Sequence, residues 1–182
     1  MLKAAARAAD ASARYFGNPV LIDQHERPLR FYEDVLKDRL VLATFMYTGC
    51  GTTCPLVAET LREVRAGLGE DASRVRILAL TVDPDNDGPK QLAEFAARHS
   101  LPDDVLLLGG PPDQVRQAGA KLGGCAPSRP AGAGCLAHPE EHLSVLLIGD
   151  VPAAHWQKLP ASSSPQQILD ALRRNFLPRR EG

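Results

Sequence analysis

The apolar positions of this chain alternate between two rhythms. Leu40-Val-Leu-Ala-Thr-Phe-Met-Tyr47, Arg74 to Val82, Val105 to Leu108 and Leu143 to Ile148 are short, nearly continuous apolar runs rich in branched residues. Such runs predict strands covered on both faces. Between them the spacing changes to that of a helix. Val57, Leu61, Val64 and Leu68 fall four, three and four apart; Leu92, Phe95, Ala96 and His99 share a second stripe; Ile168, Leu169, Leu172 and Phe176 share a third. Pro112 to Lys121 reads as a further short helix.

Punctuation refines the boundaries. Pro19 to Ile22 and Leu29 to Phe31 flank the polar Asp23 to Arg27, which predicts a hairpin. Gly67 and Gly69 end the first main helix. Asp87 is placed to cap the helix that follows the acidic loop. Ser164-Pro165-Gln166-Gln167 carries a Ser N-cap, a Pro at the first position and a Gln three after the cap. A turn is expected at Gly149-Asp150, with another strand near Ala154 to Leu159. Residues 1–14 read as a helical or frayed leader, 15–178 as one domain and 179–182 as a flexible tail.

Strands alternating with helices predict an α/β fold: a central mixed sheet flanked by helices, parallel in the middle, with an N-terminal β-hairpin extension and an antiparallel hairpin at the end. With 182 residues the chain is long enough for a single cored domain. The formal net charge is -1, which gives no electrostatic reason for nucleic acid or an anionic membrane to bind. No apolar run approaches the ~20 residues of a spanning helix. The alanine-rich start is broken by charge and is not read as a secretory signal; any native anchor or signal would lie upstream of it.

Chemistry concentrates at Cys50-Gly-Thr-Thr-Cys54-Pro55, where the strand ending at Tyr47 hands over to a helix. Pro55 suits the first helical position. Unpaired backbone N–H groups and the helix dipole stabilise negative charge there, so a thiol is expected to ionise readily and to act as nucleophile or metal ligand. Three intervening residues would put two helical side chains ~5–6 Å apart at Cβ. A disulfide needs about 3.5–4.5 Å and hence Cys50 off the helix. Two thiolates on one metal tolerate the wider spacing. A dithiol at the carboxyl end of an early strand is the thioredoxin-like arrangement, and open α/β sheets bind ligands at that edge.

Phe45-Met-Tyr-Thr-Gly-Cys-Gly-Thr-Thr-Cys-Pro55, Thr81-Val-Asp-Pro-Asp-Asn-Asp87 and His142, eight residues before Asp150, resemble the Sco/SenC family of thioredoxin-like, copper-binding proteins that serve cytochrome oxidase assembly. The resemblance covers most of the chain. It implies a copper site made of Cys50, Cys54 and His142, in agreement with the preference of soft thiolates for Cu(I) and the ability of imidazole to accommodate Cu(II). Two thiolates and one neutral histidine leave the ion undercoordinated and transferable, whereas a closed zinc site wants a fourth ligand. Gly51 and Thr52 replace the Pro-Asp often found inside the family motif, and Gly88 stands where a Thr is common.

Two functional classes follow. One is a metallochaperone delivering copper to a copper-bearing subunit of cytochrome c oxidase or to another copper chaperone. The other is a thiol-disulfide oxidoreductase in which Cys50 and Cys54 are the redox dithiol that reduces the partner's ligand cysteines. A peroxiredoxin-like peroxidase fits poorly, since Tyr47 and Gly51 stand where the Thr three residues before a peroxidatic Cys should be. The corresponding setting is extracytoplasmic, a bacterial periplasm, with a monomer anchored through an upstream segment. Asp83 is a candidate outer carboxylate near the copper, while the acidic loop lacks the spacing of an EF-hand. Cys125 and Cys135 bracket a Gly- and Pro-rich loop; a stapling disulfide and a second metal site with His138 both stay open. His25, His99 and His155 read as structural.

Overall fold

A computed structural model describes residues 10–51, 53–123 and 145–177. It begins in a helix over residues 10–16, α1, and enters the predicted hairpin, β1 Val20–Asp23 and β2 Pro28–Arg30. The polar turn between them is built on Asp23. Its buried carboxylate accepts from the backbone N–H groups of His25 and Arg27, each at 2.9 Å, and pairs with the Arg27 guanidinium at 2.7 Å.

A π-helix over Phe31–Leu36 leads into β3 Leu40–Met46, then α2 Thr53–Gly67 and a 3-10 segment Gly69–Arg74. The chain continues through β4 Val75–Thr81, α3 Pro89–Arg98, β5 Leu106–Gly109 and α4 Pro112–Lys121. Last come β6 Val145–Asp150, β7 His155–Pro160 and α5 Pro165–Asn175. The π-helix has no sequence signature of its own: its Phe31, Tyr32, Val35 and Leu36 are all buried, so packing rather than propensity places it.

The seven strands form one sheet in the order β2-β1-β5-β4-β3-β6-β7. β3, β4 and β5 are parallel, and β1, β2, β6 and β7 attach antiparallel at the two sides. The N-terminal hairpin is thus an extension of the main sheet, joined through β1 and β5. Side chains alternate between faces with the two-residue period of strands. Leu42, Met46, Ile77, Ala79, Leu107 and Ile148 point to the layer of α2, α3 and α5. Val41, Ala43, Phe45, Leu78, Leu80 and Leu147 point to the layer of α1, the π-helix and α4. The continuous apolar runs of the central strands are the consequence of this double coverage.

Three boundaries differ from the sequence expectation. β6 continues through Gly149 and Asp150, and the turn lies at 151–154. Gly149 is not a turn residue: it pairs with Trp156, and a Cβ there would stand 2.3 Å from the indole ring. Glycine serves here to let a ring lie flat on the backbone. The helix after the thiols starts at Thr53, so Pro55 is third in it; a first-turn proline still loses no helical hydrogen bond. The acidic loop does not cap α3 through Asp87, because Gly88 is the N-cap and no side-chain cap bond forms. The expected cap of α5 is present in full, with the Ser164 hydroxyl and the Gln167 side chain exchanging bonds with each other's backbone.

Candidate metal centre

The site grows out of the carboxyl ends of β3 and β4. β3 leaves the sheet after Met46, and the N–H of Val82 donates to the Met46 carbonyl at 2.8 Å, so the two exits stay side by side. Tyr47 to Gly51 form the loop that carries Cys50, whose N–H donates to the Tyr47 carbonyl at 3.3 Å. Cys54 lies in the first turn of α2 and is buried against Met46 and Val57 of the core. Cys50 is half-buried in the loop before the helix. The backbone N–H of Cys54 donates to the Cys50 sulfur at 3.4 Å. Cys50 therefore accepts one of the N–H groups that a helix N-terminus leaves without an internal partner, the position in which negative charge on sulfur is favoured.

The two thiols are unlike. Both stand as thiols rather than a disulfide. Burial pushes the Cys54 thiol up to about 12; the Tyr47 backbone N–H works against this, while the Cys50 thiol and the Asp87 charge add to the rise. The expectation of easy ionisation for both cysteines is corrected for Cys54. Desolvation outweighs the helix N-terminus at a side chain that points into the core.

Asp87 is the residue that sequence reading misplaced. Its carboxylate is buried and accepts from the Thr48 N–H at 3.1 Å, from the Thr48 hydroxyl, and from the Thr81 hydroxyl at 2.5 Å. The Thr81 hydroxyl also accepts from the Asp83 N–H at 3.0 Å. The cysteine loop and the acidic loop are thereby tied together at one buried charge. The available signal was Thr81, a threonine at the end of a largely apolar strand, since a buried hydroxyl requires a partner.

Asp83 faces its own turn: its carboxylate accepts from the Asn86 amide at 2.9 and 3.0 Å. His142, Cys125, Cys135 and His138 lie outside the described residues. Among the described residues no group of three or more His, Cys, Asp or Glu side chains converges on a point. His155 stacks on Phe176, and His99 packs on Phe95, as structural histidines do. No described helix is long and apolar enough to cross a membrane.

A mixed sheet between two helical layers, with a dithiol where β3 meets α2, defines a thioredoxin-like protein. The chain belongs to the SCO1/SenC family, whose model matches residues 7–176. A SCO1 protein homolog of Bacillus subtilis (strain 168) is 41% identical over 66 residues, which is 36% of this chain and 34% of that protein. The matched stretch thus spans about a third of that relative's length. Among solved structures, copper-bound ScoI of Bradyrhizobium japonicum superposes with a TM-score of 0.69 at 23% identity, covering 87% of this chain and 97% of that one. BsSco, described with a disulfide switch and as a member of the Sco family of cytochrome c oxidase assembly proteins, superposes with a TM-score of 0.64 at 23% identity over 85% of this chain and 88% of that one.

Proposed function

We propose that Cys50 and Cys54, completed by His142, bind one copper ion and pass it by ligand exchange to a partner, the dinuclear copper centre of cytochrome c oxidase or a second copper chaperone. The observation that carries this reading is the pairing at the start of α2, where the Cys50 sulfur receives the Cys54 N–H and the two sulfurs belong to one helix N-terminus. Soft thiolates select Cu(I), and a single imidazole extends the set to Cu(II) without closing the coordination sphere. Family membership and the copper held by the Bradyrhizobium relative support the same cargo. Asp83 stays an outer carboxylate in this reading, acting through its turn. The setting is extracytoplasmic, with a monomer tethered to the membrane by a segment upstream of the domain.

The test is a copper titration of the reduced protein against a chromophoric Cu(I) competitor. Wild type should take up one equivalent. Cys50→Ser, Cys54→Ser and His142→Ala should each weaken binding by at least about tenfold. Unchanged stoichiometry and affinity in all three would end the proposal.

The inequality of the thiols favours a second reading, in which the protein reduces the disulfide of its partner's copper ligands. The half-buried Cys50 attacks one sulfur of that disulfide and releases the other as thiolate. Cys54 then attacks Cys50 in the mixed disulfide, releases the second partner thiol, and leaves a Cys50–Cys54 disulfide, so two electrons pass to the partner. A mixed disulfide that accumulates with Cys54→Ser, and an activity indifferent to His142→Ala, would favour this over copper delivery. The loop cysteines Cys125 and Cys135 form a disulfide in our reading, and a second metal site with His138 is its rival; thiol counting on the unfolded, unreduced protein separates the two.

A further inference from the structure

The end of β3 opposite the dithiol holds a second concentration of charge. A cavity of about 360 Å³ opens at the amino ends of β3 and β4, walled by Arg27, Arg39, Arg65, Arg76, Asp103 and Asp104. Two of the four arginines are committed within the protein. Arg65 donates to the Ala72 and Val75 carbonyls and pairs with Asp104. Arg27 is held by the buried Asp23 at 2.7 Å. Arg39 and Arg76 form no ion pair among the described residues.

Arg76 is the unusual member. It is half-buried on β4, beside Val41 in the sheet register, and Arg39 lies just ahead of β3. Burial lowers the Arg76 pKa, and the neighbouring Arg39 and Arg27 charges lower it further. Holding a half-buried guanidinium beside two like charges is unfavourable unless counter-charge can enter. Its nitrogens are not sealed off, because among the described residues no fully buried side-chain N or O lacks a partner. Asp103 is exposed at the cavity wall and makes no ion pair with either Arg39 or Arg76 among the described residues.

We infer that this cavity is a binding site for a phosphate group, gripped by Arg39 and Arg76 with Arg27 at its rim. Guanidinium forks suit the oxygens of a tetrahedral dianion, and two such forks, one on β4 and one just ahead of β3, address more oxygens than a carboxylate offers. The volume falls in the range of small-molecule pockets, roughly 300–1,000 Å³, so there is room for the body of a phosphate ester beyond the phosphate. That ester is either a soluble phosphate monoester or the headgroup of a phospholipid. The site stands at the far end of a strand about 20 Å long from the thiols, and it does not depend on the copper reading.

Calorimetric titrations of the full chain with inorganic phosphate and with glycerol phosphate, at constant ionic strength set with chloride, test the inference. Saturable binding is expected, weakened at least about tenfold by Arg76→Gln and by Arg39→Gln. It should be unchanged by Arg62→Gln, an exposed arginine of α2 paired with Glu59. Arg39 is exposed, so its variant carries the test should Arg76→Gln fail to fold. Sedimentation with phosphatidylglycerol vesicles against phosphatidylcholine vesicles assigns the source: retention on the anionic vesicles that Arg76→Gln abolishes identifies a lipid phosphate. The inference is overturned if neither phosphate compound binds below about 10 mM and vesicle retention is absent, or if binding is the same in wild type and both variants. Copper uptake at the dithiol should be equal in wild type and Arg76→Gln, so a failure here leaves the copper proposal standing.

Discussion

Thr48 gives the Asp87 carboxylate both of its donors, the backbone N–H at 3.1 Å and the side-chain hydroxyl. The cysteine loop is thereby fastened to the acidic loop two residues before Cys50, and Thr81 adds a third donor from the end of β4. The tie fixes where the loop leaves the sheet, and with it the direction from which the Cys50 sulfur reaches the start of α2.

Asp87→Ala should leave these three donors with no acceptor. An orphaned buried donor costs ~1–3 kcal/mol and a hydrogen bond to a charge is worth ~1.5–3, so a loss of about 3 kcal/mol is expected in urea denaturation of the reduced protein. Copper affinity should fall with it, because the loop that presents Cys50 loses its fastening. Asp87→Asn, which keeps an acceptor oxygen, should lose less. Equal stability of the wild type and the alanine variant would show that the tie is not made in solution.

Gly149 should resist any side chain. A Cβ would meet three Trp156 ring atoms at 2.3, 2.4 and 2.5 Å, so Gly149→Ala has to push the indole off the strand. The ring also packs on Phe16, with centroids 5.6 Å apart, and that contact is disturbed in turn. Overpacking of this kind costs ~1–3 kcal/mol. Trp156 is the one tryptophan of the chain, so its emission reports the displacement directly. In the double variant with Trp156→Ala the penalty of the alanine should largely vanish, which a double-mutant cycle measures.

The contrast between Gly149 and Ser164 shows what the sequence could disclose. The cap at Ser164 is local: a hydroxyl, a proline and a glutamine within four residues contain the whole interaction, and it forms as expected. The three central strands were legible for a similar reason, since burial on both faces writes itself as unbroken apolar runs. Gly149 was misread because its meaning depends on Trp156, on the opposite strand. Asp87 was misread because its partners are thirty-nine and six residues away, while an aspartate just ahead of a helix has an obvious local role. In the site, the positions of both cysteines were legible from the strand-to-helix passage, but their inequality was not. It arises from which sulfur faces the core, a property of the packed fold.

Ser164→Ala tests the local end of that scale. Both bonds of the capping box go with the hydroxyl and its geometry, and N-cap replacements of this type cost ~1 kcal/mol. Thermal or urea unfolding should show a loss near that size, with copper uptake at the distant dithiol unchanged. A Ser164→Asp variant should recover most of it, since aspartate caps as well as serine.

The buried Cys54 thiol should make the reduced, metal-free protein sensitive to alkali. Its ordinary value is 9.0 and the fold raises it to about 12, the surroundings being the core, the Cys50 thiol and the Asp87 charge. Below pH 9 the thiol is protonated in both the folded and the unfolded chain, so its contribution is level. Between about pH 9 and 12 the unfolded chain has released the proton that the folded chain still holds, and stability must fall as pH rises. Urea midpoints of the reduced protein should therefore decline through this window, and Cys54→Ser, which cannot titrate there, should flatten the decline. At pH 8 the same inequality makes the half-buried Cys50 the first site of iodoacetamide, with Cys54 modified only as the chain opens. Peptide mapping after brief alkylation reads that order, and equal labelling of the two cysteines in the folded protein would show that Cys54 does not lie in the core.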